Sequence, residues 1–120
     1  MRRALYGTVL AAALASGCTA FSARVSEYQF KIVAPERVKA GEMLTFTVEL
    51  TKGAGEQATG ATYGWLIDWP DVKGIMHVGR AFEPQQKEAK CSVGTATLRV
   101  YAKNAQNRPV QVARQDIQVE

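Results

Sequence analysis

The sequence predicts an all-β domain, a single pair of antiparallel sheets containing about seven short strands. Three observations carry the prediction. Apolar and polar residues alternate with a period of two along much of the chain. Clusters of Gly, Pro, Asn and Asp interrupt that alternation about every eight to twelve residues. Apolar residues recur nowhere at helical spacing over about three turns. With 120 residues, 47% hydrophobic and 22% charged, the chain has the size and composition of one globular domain.

The elements follow in order. From Glu27 to Ala34, Tyr28, Phe30 and Ile32 alternate with Gln29 and Lys31, and Pro35 ends the strand. Ala40-Gly41-Glu42 turns the chain. Met43 to Thr51 then places Leu44, Phe46, Val48 and Leu50 inward and Thr45, Thr47, Glu49 and Thr51 outward. Lys52 to Ala61 contains three Gly and no large apolar side chain, which predicts a long loop. Tyr63, Trp65, Ile67 and Trp69 share one face of a third strand that Pro70-Asp71 stops. Ile75 to Val78 reads as a short strand, and Glu83 to Lys90, charged and containing Pro84, as an exposed crossing. Thr95 to Ala102 alternates again, and Asn104 to Pro109 is a turn cluster. In the last strand, Val110 to Val119, Val110 and Val112 are out of phase with Ile117 and Val119. One extra residue near Arg114, a β-bulge, restores the phase. The expected core is Phe30, Ile32, Phe46, Val48, Trp65, Ile67, Leu98, Val100, Ile117 and Val119.

The first residues have the order of an export signal: Arg2 and Arg3, an apolar run from Ala4 to Ala15, and the small residues Ala15-Ser16-Gly17. Twelve helical residues reach only about 18 Å, short of the ~30 Å hydrocarbon core, so the run is expected not to be a permanent span. No later stretch approaches the length of one. Ala15-Ser16-Gly17-Cys18 resembles the lipobox of bacterial lipoproteins, with Ala15 where Leu is usual. The resemblance implies cleavage after residue 17, a diacylglyceryl group on Cys18, and a tether over 18–26 leading into a domain over 27–120. Thr19 after the cysteine implies the outer membrane where the host has one. Ala15 and Gly17 also fit ordinary export. In that case Cys18 and Cys91 are both available for a disulfide; lipidation would leave Cys91 a lone thiol.

Further resemblance lies in the domain itself. Val38-Lys39-Ala40-Gly41-Glu42 with Leu44-Thr45-Phe46, the aromatic Tyr63-Gly64-Trp65, the run Gly94 to Val100 and the ending Ile117-Gln118-Val119 are similar to bacterial immunoglobulin-like and polycystic-kidney-disease-type domains. The acidic-glycine turn of the latter group is missing after Trp65. The resemblance implies an immunoglobulin-like β-sandwich, a fold that brings no function with it.

Fifteen Lys and Arg, less Arg2 and Arg3, stand against eleven Asp and Glu, a net +2 that does not suggest a nucleic-acid partner. One His and two Cys are too few for a metal site of three or four such ligands within one chain. Catalysis needs convergent ionisable groups. The sequence offers only His77, and Asp68 and Asp71 near a strand end, so the chain is expected not to be an enzyme and to carry no cofactor. Met76 and His77 are ligand types that suit copper. As strand neighbours they should point to opposite faces, Met76 into the core and His77 outward. Among the aromatics, Trp69 before Pro70 is the candidate for a partly exposed binding anchor, with Asp71 beside it and the Gly53–Gly60 loop as a further candidate.

The expectation is therefore a lipid-anchored envelope protein that binds a protein partner or assists assembly. A periplasmic copper-handling lipoprotein using Met76 and His77, and a structural subunit of a surface assembly, are the alternatives.

Overall fold

The computed structural model describes residues 21–90 and 92–120. The signal at 1–17, Cys18 and Cys91 lie outside the described residues. Among the described residues eight strands form: β1 (Gln29–Val33), β2 (Arg37–Val38), β3 (Met43–Thr51), β4 (Thr62–Asp68), β5 (His77–Arg80), β6 (Gln85–Glu88), β7 (Gly94–Lys103) and β8 (Pro109–Val119). They build two sheets, a three-stranded one in the order β1-β3-β6 and a five-stranded one in the order β2-β8-β7-β4-β5. One apolar core joins inward residues of both, and Phe46 from β3 and Trp65 from β4 pack in a T-shaped pair with ring centres 4.9 Å apart and planes at 82°.

The alternation fixes the inward faces as expected. Phe46, Val48, Trp65, Ile67, Leu98, Val100, Ile117 and Val119 are buried, together with Leu44, Leu50 and Tyr63. Phe30 and Ile32 are only half-buried and pack against this core from the outer strand β1.

The pairing is not antiparallel throughout. Residues 34–36 carry the chain from one sheet to the other, and β2 then pairs parallel with β8, Arg37 opposite Gln118 and Val38 opposite Val119. Pro35, which has no N–H to donate, sits at this crossing, and Gln115 Nε2 donates to the carbonyls of Ala34 and Pro35 at 3.2 Å. The expected bulge is present two residues from Arg114. Val100 pairs with Ala113 and Tyr101 with Gln111, so Val112 is the extra residue.

Two elements differ from the sequence reading. Gln85–Glu88 is a strand, paired with the edge of β3, rather than a crossing. The strand expected at Ile75–Val78 begins at His77, because the segment before it is held away from the ladder as described below.

Residues expected to be tether are part of the domain. Ala23 donates its N–H to the Thr62 carbonyl at 2.8 Å and accepts from the Lys103 N–H at 2.9 Å, bridging the ends of β4 and β7. Ser22 and Thr62 exchange hydrogen bonds, the Thr62 N–H to Ser22 Oγ at 2.9 Å and the Ser22 N–H to Thr62 Oγ1 at 2.8 Å. Phe21 and Ala23 are wholly buried. The Phe21 ring and the Met76 sulfur lie so close to Gly64 that a Cβ there would approach both at 2.8 Å.

Candidate functional site

The site begins with the turn after β4. Trp69 and Val72 form an antiparallel bridge, the Trp69 N–H donating to the Val72 carbonyl at 2.8 Å, with Pro70 and Asp71 at the tip. The chain then returns past β4 at minimal distance. A Cβ on Gly74 would lie 2.1 Å from the Ile67 carbonyl oxygen, so only glycine fits there. Asp68 secures this return. Its Oδ1 accepts from the Gly74 N–H at 3.0 Å, while its Oδ2 accepts from Arg99 Nε at 2.9 Å. The Gly74 N–H, then the Arg99 guanidinium, hold the Asp68 carboxyl below its ordinary range, against the opposing effect of burial.

Folded this way, the 72–75 segment and the two sheet margins enclose a cleft of about 180 Å³. Trp65, Ile67 and Trp69 line it from β4 and the turn, Ile75 and His77 from one side, and Lys73, Lys87 and Lys90 bring positive charge. Among the described residues, no acidic one lines it. Among the described residues, β5 and β6 each have a hydrogen-bonded neighbour on one side only, so the cleft lies where the sheets present free edges. His77 stacks on Trp65 with ring centres 4.6 Å apart. Burial, then the neighbouring Lys87 charge, lowers its pKa, which favours a neutral imidazole at neutral pH. Trp65 is 4% exposed, and its Nε1–H is buried without a partner.

This arrangement revises several expectations. Trp69 is 5% exposed and belongs to the core, so it is not a free-standing surface anchor; it contributes to the cleft lining. Asp71 is exposed and accepts a hydrogen bond from Ser92 Oγ, which ties the turn to the segment before β7. The Gly53–Gly60 region does not join Trp69. It arches back on β3, with the Ala58 N–H on the Leu50 carbonyl at 2.8 Å, and precedes β4, whereas Trp69 follows it. Met76 and His77 do take opposite faces, with the assignments reversed: the half-buried His77 stacks on Trp65 on the inward face and Met76 lies by Gly64 and Phe21 on the other. The two side chains therefore do not converge on one ion. Among the described residues, no group of three or more His, Cys, Asp or Glu could hold a metal.

Sequence reasoning passed over Lys73, Lys87 and Lys90. Charged residues in a turn and an edge segment read as solvated surface, and only the pairing of β6 with β3 brings Lys87 toward His77.

No family model matches the chain, and no curated protein matches it. Among solved structures, it is similar to an alkylpurine DNA glycosylase, AlkC, of Pseudomonas fluorescens bound to DNA containing an abasic-site analogue, with a TM-score of 0.49 and 14% identity. The match covers 91% of this chain and 33% of that one, so the chain spans about a third of the neighbour's length. The expectation that the chain is not an enzyme stands against this comparison, since that neighbour is an enzyme, and is withdrawn. At this level of likeness the comparison assigns this chain neither an activity nor a ligand.

Proposed function

We propose that this chain is a lipid-anchored bacterial envelope protein, of the outer membrane where the host has one, that serves as a binding or assembly module on an immunoglobulin-like sandwich. The observation that carries the binding role is the Lys-bordered aromatic cleft between the free edges of β5 and β6. The strand order supports the fold reading. β1-β3-β6 against β8-β7-β4-β5 follows the A-B-E and G-F-C-C′ arrangement of immunoglobulin domains, with β2 as the part of the first strand that crosses to the second sheet.

The lipobox-like Ala15 to Cys18 supports the anchor, and the fold suits it. Cys18 is three residues from the buried Phe21, a reach of only about 10 Å in extended chain. Phe21 to Ala23 pack beside the start of β4, whereas Trp69 follows its end, about 23 Å further along the strand. A lipid on Cys18 would thus hold one end of the domain at the membrane and leave the cleft toward the other end.

A photocrosslinking residue at Ile75, which is 68% exposed on the cleft wall, tests the recognition surface in intact cells. A discrete adduct is expected from position 75 and not from position 118 on the opposite face of the five-stranded sheet. Adducts from 118 alone, or from neither, refute this surface. Mass spectrometry of the mature protein tests the anchor separately. An acylated Cys18 as first residue is expected, and an unmodified N-terminus or a Cys18–Cys91 bridge refutes it.

A further inference from the structure

The lining of the cleft specifies more than its position. Its floor is apolar and aromatic, and among the described residues its charged lining is Lys73, Lys87 and Lys90, with no carboxylate in the lining to neutralise them. The Trp65 Nε1–H, buried and unpartnered, is a donor without an acceptor. A buried donor of this kind gains substantially when an acceptor reaches it, because its desolvation cost is already incurred. Both tryptophans of the chain contribute to the same lining.

The size and walls constrain the occupant. A drug-sized ligand usually fills about 300–1,000 Å³, whereas this cleft of about 180 Å³ suits one side chain or one small group. The 72–75 segment forms much of the wall, His77 of β5 and Lys87 of β6 also line it, and among the described residues both strands have an outer edge free to pair with an extended chain. Lys87 is half-buried and lies opposite Leu44, so it faces the interior rather than solvent.

From these features we infer that the cleft receives an acidic, extended segment of a partner protein. An apolar side chain of that segment lies over Trp65 and Trp69, and a neighbouring Asp or Glu carboxylate is held by Lys87 and Lys90. This inference rests on the cleft being the recognition surface and adds the chemistry of what enters it. Charge complementarity selects the carboxylate, and the free edges select an extended chain.

The test uses the domain's two indoles as reporters. The probes are a short blocked peptide alternating Glu with Phe and Val, the same peptide with Gln for Glu, the same with Lys for Glu, and phenylacetate as a free acid. The Glu peptide is expected to change tryptophan emission and to move the Trp65 indole N–H resonance. The Gln peptide should bind roughly tenfold more weakly or worse, the loss expected for a hydrogen bond to a charged group. Lys87→Gln combined with Lys90→Gln should abolish the preference for Glu over Gln, with the circular dichroism spectrum unchanged.

Equal binding of the Glu and Gln peptides, or tighter binding of the Lys peptide, overturns the acidic class while leaving the cleft a binding surface. Phenylacetate binding as tightly as the Glu peptide overturns the peptide occupant. Silence toward every probe at millimolar concentration overturns the inference as a whole. The crosslinking experiment at position 75 involves no such probe and decides the recognition surface independently.

Discussion

Gly74→Ala is the sharpest perturbation the structure offers. The new methyl group would lie 2.1 Å from the carbonyl oxygen, 2.7 Å from the carbonyl carbon and 2.8 Å from the nitrogen of Ile67. These are backbone atoms of a central strand and cannot turn aside as a side chain can, so the 72–76 segment must lift. Lifting breaks the Gly74 N–H to Asp68 Oδ1 bond, a charge-assisted interaction worth about 1.5–3 kcal/mol. It also uncovers part of Trp69. If roughly a third of a Trp surface of about 150–250 Å² is exposed, the further cost is about 1–2 kcal/mol at 25 cal/mol per Å². The expected destabilisation is therefore about 3–5 kcal/mol, a large share of the ~5–15 kcal/mol that holds a small domain together. Urea unfolding followed by tryptophan emission measures it, and the folded variant should already emit to the red of the wild type. Gly53→Ala serves as the control, since nothing lies within 4 Å of a Cβ there. A Gly74→Ala protein with wild-type midpoint and emission would refute the close return of this segment.

Other substitutions and conditions test separate parts of the structure. Trp65→Ala should cost about 3–5 kcal/mol by leaving a cavity beside Phe46 and His77, read as a lowered urea midpoint. Phe21→Ala should also destabilise the domain, by about 3 kcal/mol or more, whereas a mere tether residue would leave the midpoint unchanged. Tyr63→Phe should be neutral or stabilising, because the buried hydroxyl has no partner to lose; a drop in midpoint would reveal a partner for it. Burial also raises the Tyr63 phenol above its ordinary value, so a spectrophotometric titration should show a tyrosine ionising above the usual phenol range that Tyr63→Phe removes. The folded Asp68 carboxyl titrates below the unfolded value of about 3.9, so its stabilisation is fully present above that pH and is lost as pH falls through the lower folded value. Asp68→Asn should accordingly flatten the acid limb of the midpoint-versus-pH curve, and an unchanged limb would mean that Asp68 does not stabilise the folded state.

Most of the ladder was legible because period-two alternation states which face is buried. The strand at Met43–Thr51 has the bounds that its Leu, Phe and Val spacing predicts, and the phase break in the last strand announced a bulge. The break pointed to an extra residue near Arg114, and the structure places it two positions earlier, at Val112. Gln85-Gln86-Lys87-Glu88 was illegible for the opposite reason. It has no apolar residue to alternate, and its strand conformation comes from hydrogen bonds to the edge of β3, which only the tertiary fold supplies. The segment 21–25 looked like tether because it is short and mostly small or polar. Its burial depends on Thr62 and Lys103, distant in sequence.

The site was half legible, and the division follows the kind of interaction involved. Trp69 before a turn-forming proline could be singled out from composition and position alone. Its burial could not, because the segment after the turn comes back against Ile67 only through the missing Cβ of Gly74. Periodicity also required Met76 and His77 to diverge, but it did not fix which side each takes. That choice follows from register: Trp65 pairs with His77, so the imidazole shares the inward face of the indole, and Met76 is left to the face where Gly64 has room for its sulfur. One glycine thus seats the methionine and another returns the loop. Together they place His77 and the lysines around Trp65, which the sequence assigned to the core, and Trp69, which it singled out as a binding anchor.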